Sequence, residues 1–225
     1  MSKKKLHSAD DEEIKGLIEL YQNKKYLELE KKVLKIINDD EENFIVFNIL
    51  GLVKSSQNKT DEAIKNFDKA LSIKKDYVAA YNNKGNLLLK DKKFSEAIIS
   101  YKKAIKYEKN SEQIQFNLSN CYLENKQYNQ AIEVLEVIIK NNKEFTQAYQ
   151  SLGVAYSFEN EYEKSNDAFY KILKTDNNNI DAIIGIGNNF FKNKEFEEAN
   201  NFFNEKIKKK IKNERVYYNN GYAYQ

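Results

Sequence analysis

The chain has 225 residues, of which 41% are hydrophobic, and it contains no proline, one cysteine and one histidine. The single cysteine excludes a disulfide framework, and the single histidine excludes most zinc sites and any Ser-His-Asp catalytic triad. The 37 basic and 34 acidic residues are interleaved and give a net charge of only +3, and Arg215 is the single arginine. Because arginine supplies most bidentate contacts to phosphates and bases, we expect no nucleic-acid partner.

Residues 1–9 form an N-terminal tail in which a cluster of lysines is not followed by an apolar run. A secretory signal has such a run directly after its basic residues. The longest apolar runs elsewhere, such as the three leucines at 87–89, are far shorter than the ~20 residues that span a bilayer. We therefore expect a protein without a membrane partner, located in the cytoplasm.

From residue 44 onward the sequence repeats with a period of 34 residues. Glycine recurs at this spacing as Gly51, Gly85, Gly153, Gly187 and Gly221. Ser119 occupies the remaining place in the series. A second series holds small residues and a third holds large ones: Ala63, Ala97, Ala131, Ser165 and Ala199, and Phe67, Tyr101, Leu135, Phe169 and Phe203. A fixed period of this length is typical of proteins that stack one supersecondary unit on the next.

Each repeat predicts two helices. When the glycine is numbered position 8, positions 4, 7, 8 and 11 share one face of a first helix, and positions 20, 24 and 27 share one face of a second. A glycine inside a helix costs about 1 kcal/mol relative to alanine. Its recurrence therefore indicates that small residues at positions 8 and 20 allow the two helices to approach closely. Between them, short polar segments predict turns in which Asp91 or Asn125 tolerates a left-handed conformation.

This pattern resembles the tetratricopeptide repeat, which has an aromatic residue at position 4, Leu at 7, Gly at 8, Tyr at 11, Ala at 20, Phe at 24 and Ala at 27. The segments YNNKGNLLLKDKKFSEAIISYKKAI and YQSLGVAYSFENEYEKSNDAFYKIL follow it closely. The resemblance implies an all-α fold, a right-handed α-solenoid of antiparallel helix pairs without strands. The proline usual at position 32 is absent from every repeat, which leaves the sharpness of the turns between repeats open.

The resemblance also divides the chain. After the tail come a degenerate first repeat (10–43), five full repeats (44–213) and the first helix of a truncated further repeat (214–225). This last segment has Tyr217 at position 4 and Gly221 at position 8, but no second helix follows to cover them. We therefore expect the natural protein to continue beyond Gln225, with self-association through the uncapped end as the alternative.

No group of residues predicts catalysis, a metal site or a cofactor. Cys121 falls on the inward face of its helix, where a cysteine acts as a small buried apolar residue. His7 lies in the tail, and the segment Gly185-Ile186-Gly187 lacks the third glycine and the preceding strand of a nucleotide-binding loop. We therefore expect no enzymatic activity from these residues.

Asparagine concentrates where the resemblance implies a ligand groove. In the family, positions 2, 5, 6, 9, 12 and 13 of the first helices line a concave surface. Positions 5, 6 and 9 of six repeats give 18 places, and asparagine fills eight of them, against 30 asparagines in the whole chain. Seven of the eight are predicted to line a peptide-binding groove, together with three apolar side chains: Asn48, Asn82, Asn83, Asn86, Asn117, Asn120 and Asn188, and Phe116, Phe158 and Phe191. The eighth is Asn219.

A carboxamide both donates and accepts hydrogen bonds, so it can hold a peptide backbone. A compositional bias toward asparagine, combined with a helix face that needs polar residues, accounts for the same enrichment without a ligand.

The resemblance implies a non-enzymatic interaction scaffold that binds an extended or helical segment of a partner protein in this groove. A clamp for chaperone tails is disfavoured, because Asn82, Gln147 and Ser151 replace the cations that such clamps use. RNA binding is disfavoured by the near absence of arginine. The alternative is that the chain is the N-terminal recognition module of a longer enzyme, resembling an O-linked N-acetylglucosamine transferase or a sulfotransferase.

Overall fold

A computed structural model of the protein describes residues 11–208, within which it contains twelve α-helices and no strand. The helices are α1 (Asp11–Gln22), α2 (Tyr26–Asp39), α3 (Phe44–Ser56), α4 (Thr60–Ile73), α5 (Val78–Lys90), α6 (Phe94–Tyr107), α7 (Glu112–Glu124), α8 (Tyr128–Asn141), α9 (Thr146–Phe158), α10 (Tyr162–Thr175), α11 (Ile180–Lys192) and α12 (Phe196–Lys208). The all-α fold predicted from the sequence is confirmed.

The helices follow the 34-residue period. The first helices of the full repeats begin at residues 44, 78, 112, 146 and 180, and the second helices begin at residues 60, 94, 128, 162 and 196. The helix α2 begins at Tyr26, one period before Thr60. The predicted tail, the truncated further repeat and the uncapped end lie outside the described residues.

The described part of the chain falls into two compact units that divide between Ile114 and Gln115. In the first unit, each helix from α1 to α6 packs on the next, and α3 also packs on α1 and α5. In the second unit, the helices from α8 to α12 pack in the same way, and α9 also packs on α11. The core of each unit is therefore built both within each repeat and between neighbouring repeats, as in other solenoids.

The glycine at position 8 lies directly against the ring at position 24 of its own repeat. A Cβ atom built on Gly51 would lie 2.5 Å from Cε1 of Phe67, and one built on Gly187 would lie 1.9 Å from Cζ of Phe203. Both rings are fully buried. A side chain at either glycine would therefore displace a packed ring, which explains why the sequence keeps glycine there despite its low helix propensity.

The third full repeat has a different pair of residues at these two places. Position 24 holds Leu135 instead of a ring, and position 8 holds Ser119 instead of glycine, and both side chains are fully buried. The Oγ of Ser119 donates a hydrogen bond to the carbonyl oxygen of Phe116, 2.7 Å away in the same helix. Among the five full repeats, the smaller residue at position 24 thus accompanies the single position 8 that carries a side chain.

In the two turns singled out from the sequence, the left-handed residue is not the one expected. Positive φ angles of 57–62° occur once in every period, at Lys24, Asn58, Lys92, Lys126, Asn160 and Lys194. The prediction that Asp91 or Asn125 takes this conformation is therefore wrong. Asp91 has a φ of −85° and caps α5.

Two backbone hydrogen bonds explain which residue of the turn after α5 is left-handed. The backbone N–H of Lys92 donates to the carbonyl of Leu89 (2.9 Å), and that of Lys93 donates to the carbonyl of Leu88 (2.8 Å). This pair of bonds is the Schellman motif, in which the first residue after the C-cap is left-handed whatever its side chain. In this turn that residue is Lys92.

Replacing Lys92 by glycine is expected to stabilise the protein by about 1 kcal/mol, because the left-handed conformation costs residues with a Cβ about 1–2 kcal/mol. The Lys92 side chain is exposed, so no buried contact is lost. Urea unfolding followed by far-UV circular dichroism measures the change. The control is Asp91→Gly in the same turn, which should give no gain, and an equal response of both variants would contradict this explanation.

Candidate functional site

The predicted asparagines of the first unit are bonded to other parts of the protein. The Nδ2 of Asn83 on α5 donates to the Oδ1 of Asn48 on α3, 3.0 Å away, and Asn48 is buried. The Oδ1 of Asn86 accepts a hydrogen bond of 2.7 Å from the hydroxyl of Tyr101 on α6. Asn82 is half-buried on α5. Three of these four carboxamides therefore connect helices of the first unit.

The predicted residues on α7 also contact a neighbouring helix or its N-cap. The ring of Phe116 packs edge-to-face on that of Phe145, with centroids 5.3 Å apart. The Oδ1 of Asn120 accepts a long hydrogen bond of 3.5 Å from the hydroxyl of Ser151 on α9. Asn117 is half-buried on the same helix. Phe116 and Asn120 thus take part in contacts within the second unit.

The remaining three predicted residues meet at one cavity of the second unit. Phe158 at the end of α9 and Asn188 and Phe191 on α11 line a cavity of about 520 Å³. Its other lining residues were not predicted from the sequence: Val154, Ser157, Phe169, Gly185 and Lys192. The volume falls within the ~300–1,000 Å³ that is usual for ligand sites. We call this space the α9–α11 cavity.

The cavity reaches the core because α11 has a glycine at position 6. The other full repeats hold Ile49, Asn83, Asn117 and Ser151 at this position. A Cβ atom on Gly185 would lie 2.5 Å from Cε2 of Phe169, which is 2% exposed and lines the cavity. The ring of Phe169 therefore fills the place that a side chain at Gly185 would need. The sequence signal for this feature is a second glycine in the same helix, outside the 34-residue series.

The rim of the cavity is held by stacked and polar contacts. The ring of Phe158 is 53% exposed and stacks on Tyr128 of α8, with centroids 4.7 Å apart and an interplanar angle of 3°. The Nζ of Lys192 lies 5.1 Å from the centroid of the Phe158 ring and donates to the Oγ of Ser157 at 3.1 Å. These contacts fix an exposed aromatic ring and an ammonium group beside the cavity.

Asn188 is a polar residue of the cavity lining. Its side chain is half-buried and lines the cavity. Its carboxamide forms no hydrogen bond with any residue between 11 and 208. One donor and one acceptor group are thus available within an otherwise largely apolar space.

Two features of residues 11–208 bear on covalent and metal chemistry, the cysteine and the acidic residues. Burial raises the pKa of the Cys121 thiol to about 11, so this thiol stays protonated at neutral pH and is a poor nucleophile. The described side chains include no cluster of three or more His, Cys, Asp or Glu residues that could hold a metal ion. In this part of the chain, no helix combines the length and apolar character needed to cross a membrane.

Comparison with known families gives two matches. Residues 31–152, more than half of the chain, match the family model of the tetratricopeptide repeat protein 21 C-terminal ARM domain. Residues 146–179, which contain α9 and α10, match the model of the tetratricopeptide repeat. No curated protein sequence matches the chain.

Several solved structures have a similar fold. The structure of YrrB, described as a TPR protein with an unusual peptide-binding site, is 20% identical, with coverage of 82% of this chain and 94% of the other, at a TM-score of 0.69. MamA is 25% identical, and the match covers 76% of this chain and 95% of MamA at a TM-score of 0.68. The C-terminal part of a TPR repeat-containing protein from Cytophaga hutchinsonii is 19% identical. This match covers 87% of this chain and 78% of the other at a TM-score of 0.75. These likenesses concern the fold, and they confirm the helical-repeat solenoid class predicted from the sequence.

Proposed function

Because the chain belongs to the tetratricopeptide repeat family, whose repeats form protein-interaction scaffolds, we propose that it binds an extended segment of a partner protein over α9 and α11. The observation that carries this proposal is the α9–α11 cavity with the carboxamide of Asn188, which has no hydrogen-bond partner among residues 11–208. YrrB, which has a similar fold, is described as having a peptide-binding site, and this supports a peptide as the class of ligand.

The cavity and Asn188 have complementary roles in this proposal. An apolar side chain of the partner is buried against Val154, Phe158 and Phe191, at about 25 cal/mol for each Å² removed from water. Asn188 donates to a carbonyl and accepts from an N–H of the partner backbone. An extended segment offers these groups freely, whereas a helix uses most of them internally. The available carboxamide therefore favours an extended ligand over a helical one.

The asparagines of the first unit have a different role in this proposal. Asn48 and Asn83 bond to each other, so a ligand could use them only by breaking a hydrogen bond that connects two repeats. We assign them to the stability of the first unit and place binding at Asn188.

Peptides selected from a phage-displayed library of random 12-residue sequences are expected to bind Phe158→Ala and Asn188→Ala more weakly than the original chain. The loss of one or two hydrogen bonds at Asn188 should cost about 1–3 kcal/mol of binding free energy. Isothermal titration calorimetry measures the affinities. The thermal midpoint should hardly change, because neither side chain is buried.

Two control variants in the first unit match these substitutions. Tyr107 is 45% exposed, similar to Phe158, and Asn86 occupies position 9, as Asn188 does. Tyr107→Ala and Asn86→Ala should therefore bind the selected peptides with unchanged affinity. Equal losses in the control and cavity variants, or no loss in the cavity variants, would contradict binding at α9 and α11.

A further inference from the structure

The walls of the α9–α11 cavity are mostly aromatic. Three rings line it from three helices: Phe158 on α9, Phe169 on α10 and Phe191 on α11. Rings pack preferentially edge-to-face or offset on other rings, and these arrangements add to the hydrophobic gain from their burial. Among side chains that could enter the space, an aromatic one therefore gains most.

The charge beside the cavity is positive and unbalanced. Lys192 is the one charged residue that lines the cavity, and within the described part of the chain it forms no ion pair with a carboxylate. Lys54 and Lys84 differ in this respect. The Nζ of Lys54 lies 2.7 Å from a carboxylate of Glu30, and that of Lys84 lies 2.6 Å from Asp68. An acidic group on the partner would supply the missing counter-charge for Lys192.

We propose that the α9–α11 cavity recognises an acidic-aromatic segment, with an aromatic ring in the cavity and an Asp or Glu carboxylate bound to Lys192. This inference rests on the proposed function and adds the chemistry of the partner. Side chains of an extended segment alternate between its two faces, so residues two apart point the same way. The carboxylate that reaches Lys192 therefore stands two residues from the ring.

The test uses six acetylated and amidated peptides titrated into the ¹⁵N-labelled full chain and followed by NMR. The first peptide is Gly-Ser-Phe-Ser-Glu-Ser-Gly, two others have Gln or Lys in place of Glu, and the fourth has Ala in place of Phe. A fifth peptide with Glu placed two residues before Phe, and a sixth with Gln in place of that Glu, cover the reverse chain direction. The better of the two Phe–Glu peptides should bind about two- to fivefold more tightly than its Gln counterpart, as for other exposed ion pairs. This preference should shrink as salt is added.

Substitutions of Lys192 separate the charge from the cavity. Lys192→Gln should bind the Glu and Gln peptides equally, and Lys192→Glu should prefer the Lys peptide. The matched control is Lys90→Gln, because Lys90 occupies the same position of an earlier repeat and donates to Asn58 of the repeat before it (3.2 Å). Since Lys90 does not line this cavity, its substitution should leave the preference for Glu unchanged.

The outcomes distinguish this inference from the proposed function. Equal binding of the Glu and Gln peptides to the original chain would overturn the role of Lys192 and leave peptide binding standing. Equal binding of the Phe and Ala peptides would overturn the aromatic preference. If no peptide shifted the resonances of α9 or α11, the proposed function would fail, and the inference would fail with it.

Discussion

The double variant Gly51→Ser/Phe67→Leu is expected to be more stable than the sum of its two single substitutions predicts, by about 0.5–3 kcal/mol. Alone, Gly51→Ser forces its Cβ to within 2.5 Å of the fully buried Phe67 ring, and such overpacking costs about 1–3 kcal/mol. Alone, Phe67→Leu leaves part of the ring volume empty. The stability it loses should be smaller than the loss of about 3–5 kcal/mol for a change to alanine.

The two changes together reproduce a pair that the chain already contains. In the third full repeat, Ser119 and Leu135 occupy the places of Gly51 and Phe67, and both are fully buried. With leucine at position 24, the new serine has room for its Cβ. Its hydroxyl can bond to a carbonyl of its own helix, as that of Ser119 does.

Chemical denaturation of the original chain, both single variants and the double variant measures this coupling. Gly16→Ser is the control, because a Cβ atom on Gly16 would have no heavy atom within 4 Å and the substitution should be harmless. Strictly additive losses would show that the glycine and the ring are not packed as described. A Gly51→Ser variant as stable as Gly16→Ser would show the same.

Ser165→Ala is expected to destabilise the second unit by about 1–3 kcal/mol, since it breaks a buried hydrogen-bond chain. The Oγ of Ser165 donates to the carbonyl of Gly153 at 2.6 Å and accepts from the Nδ2 of Asn189 at 2.7 Å. The same Nδ2 also donates to the Oδ1 of Asn166 at 2.8 Å. Ser165 is completely buried and Asn189 is 1% exposed, so water cannot replace the lost partner without opening the core.

The double variant Ser165→Ala/Asn189→Leu should recover this loss. It copies the pair Ala63 and Leu87, which hold the same two positions three repeats earlier and lie in one apolar cluster with Phe67. It also removes the buried Oδ1 of Asn189, which has no hydrogen-bond partner among the described residues. Such replacement of both polar partners by apolar groups is often neutral or stabilising.

Thermal unfolding of the three proteins measures these changes. Ser100→Ala is the matched control, because Ser100 is also buried but its hydroxyl bonds only to the carbonyl of Glu96 in its own helix. Ser100→Ala should therefore lose less stability than Ser165→Ala. If Ser165→Ala were no worse than Ser100→Ala, or if the double variant were less stable than Ser165→Ala, the hydrogen-bond chain would not have the role described.

The helix pairs could be predicted from the sequence because several positions of each repeat carry the same type of residue in every repeat. The small residue at position 8 and the large one at position 24 recur in register, as in Gly51 and Phe67, and the structure packs these two against each other. The left-handed lysine of the turn could not be predicted from side-chain preferences. Its place is set by two backbone hydrogen bonds of the Schellman motif, which override the preference of asparagine for that conformation.

The site was predicted only in part. Phe158, Asn188 and Phe191 were chosen as site residues, whereas Gly185 and Lys192, which also stand at groove positions and line the same cavity, were not. A repeat pattern treats each position separately. The lining of this cavity instead depends on two helices together, because Gly185 leaves room for the ring of Phe169. For the same reason composition alone could not show that Asn48 and Asn83 bond to each other.

The packing of each helix on its near neighbours in the chain also bears on how the protein folds. Within each unit, the described helices contact those one or two places away in the sequence, so only short loops must close before a contact forms. The entropy lost on closing a loop grows with its length, and chains with mainly local contacts fold fast. Each helix pair can form and open without waiting for distant segments. The α9–α11 cavity therefore forms once its own two repeats have folded, so its opening and closing depend on the local stability of those repeats.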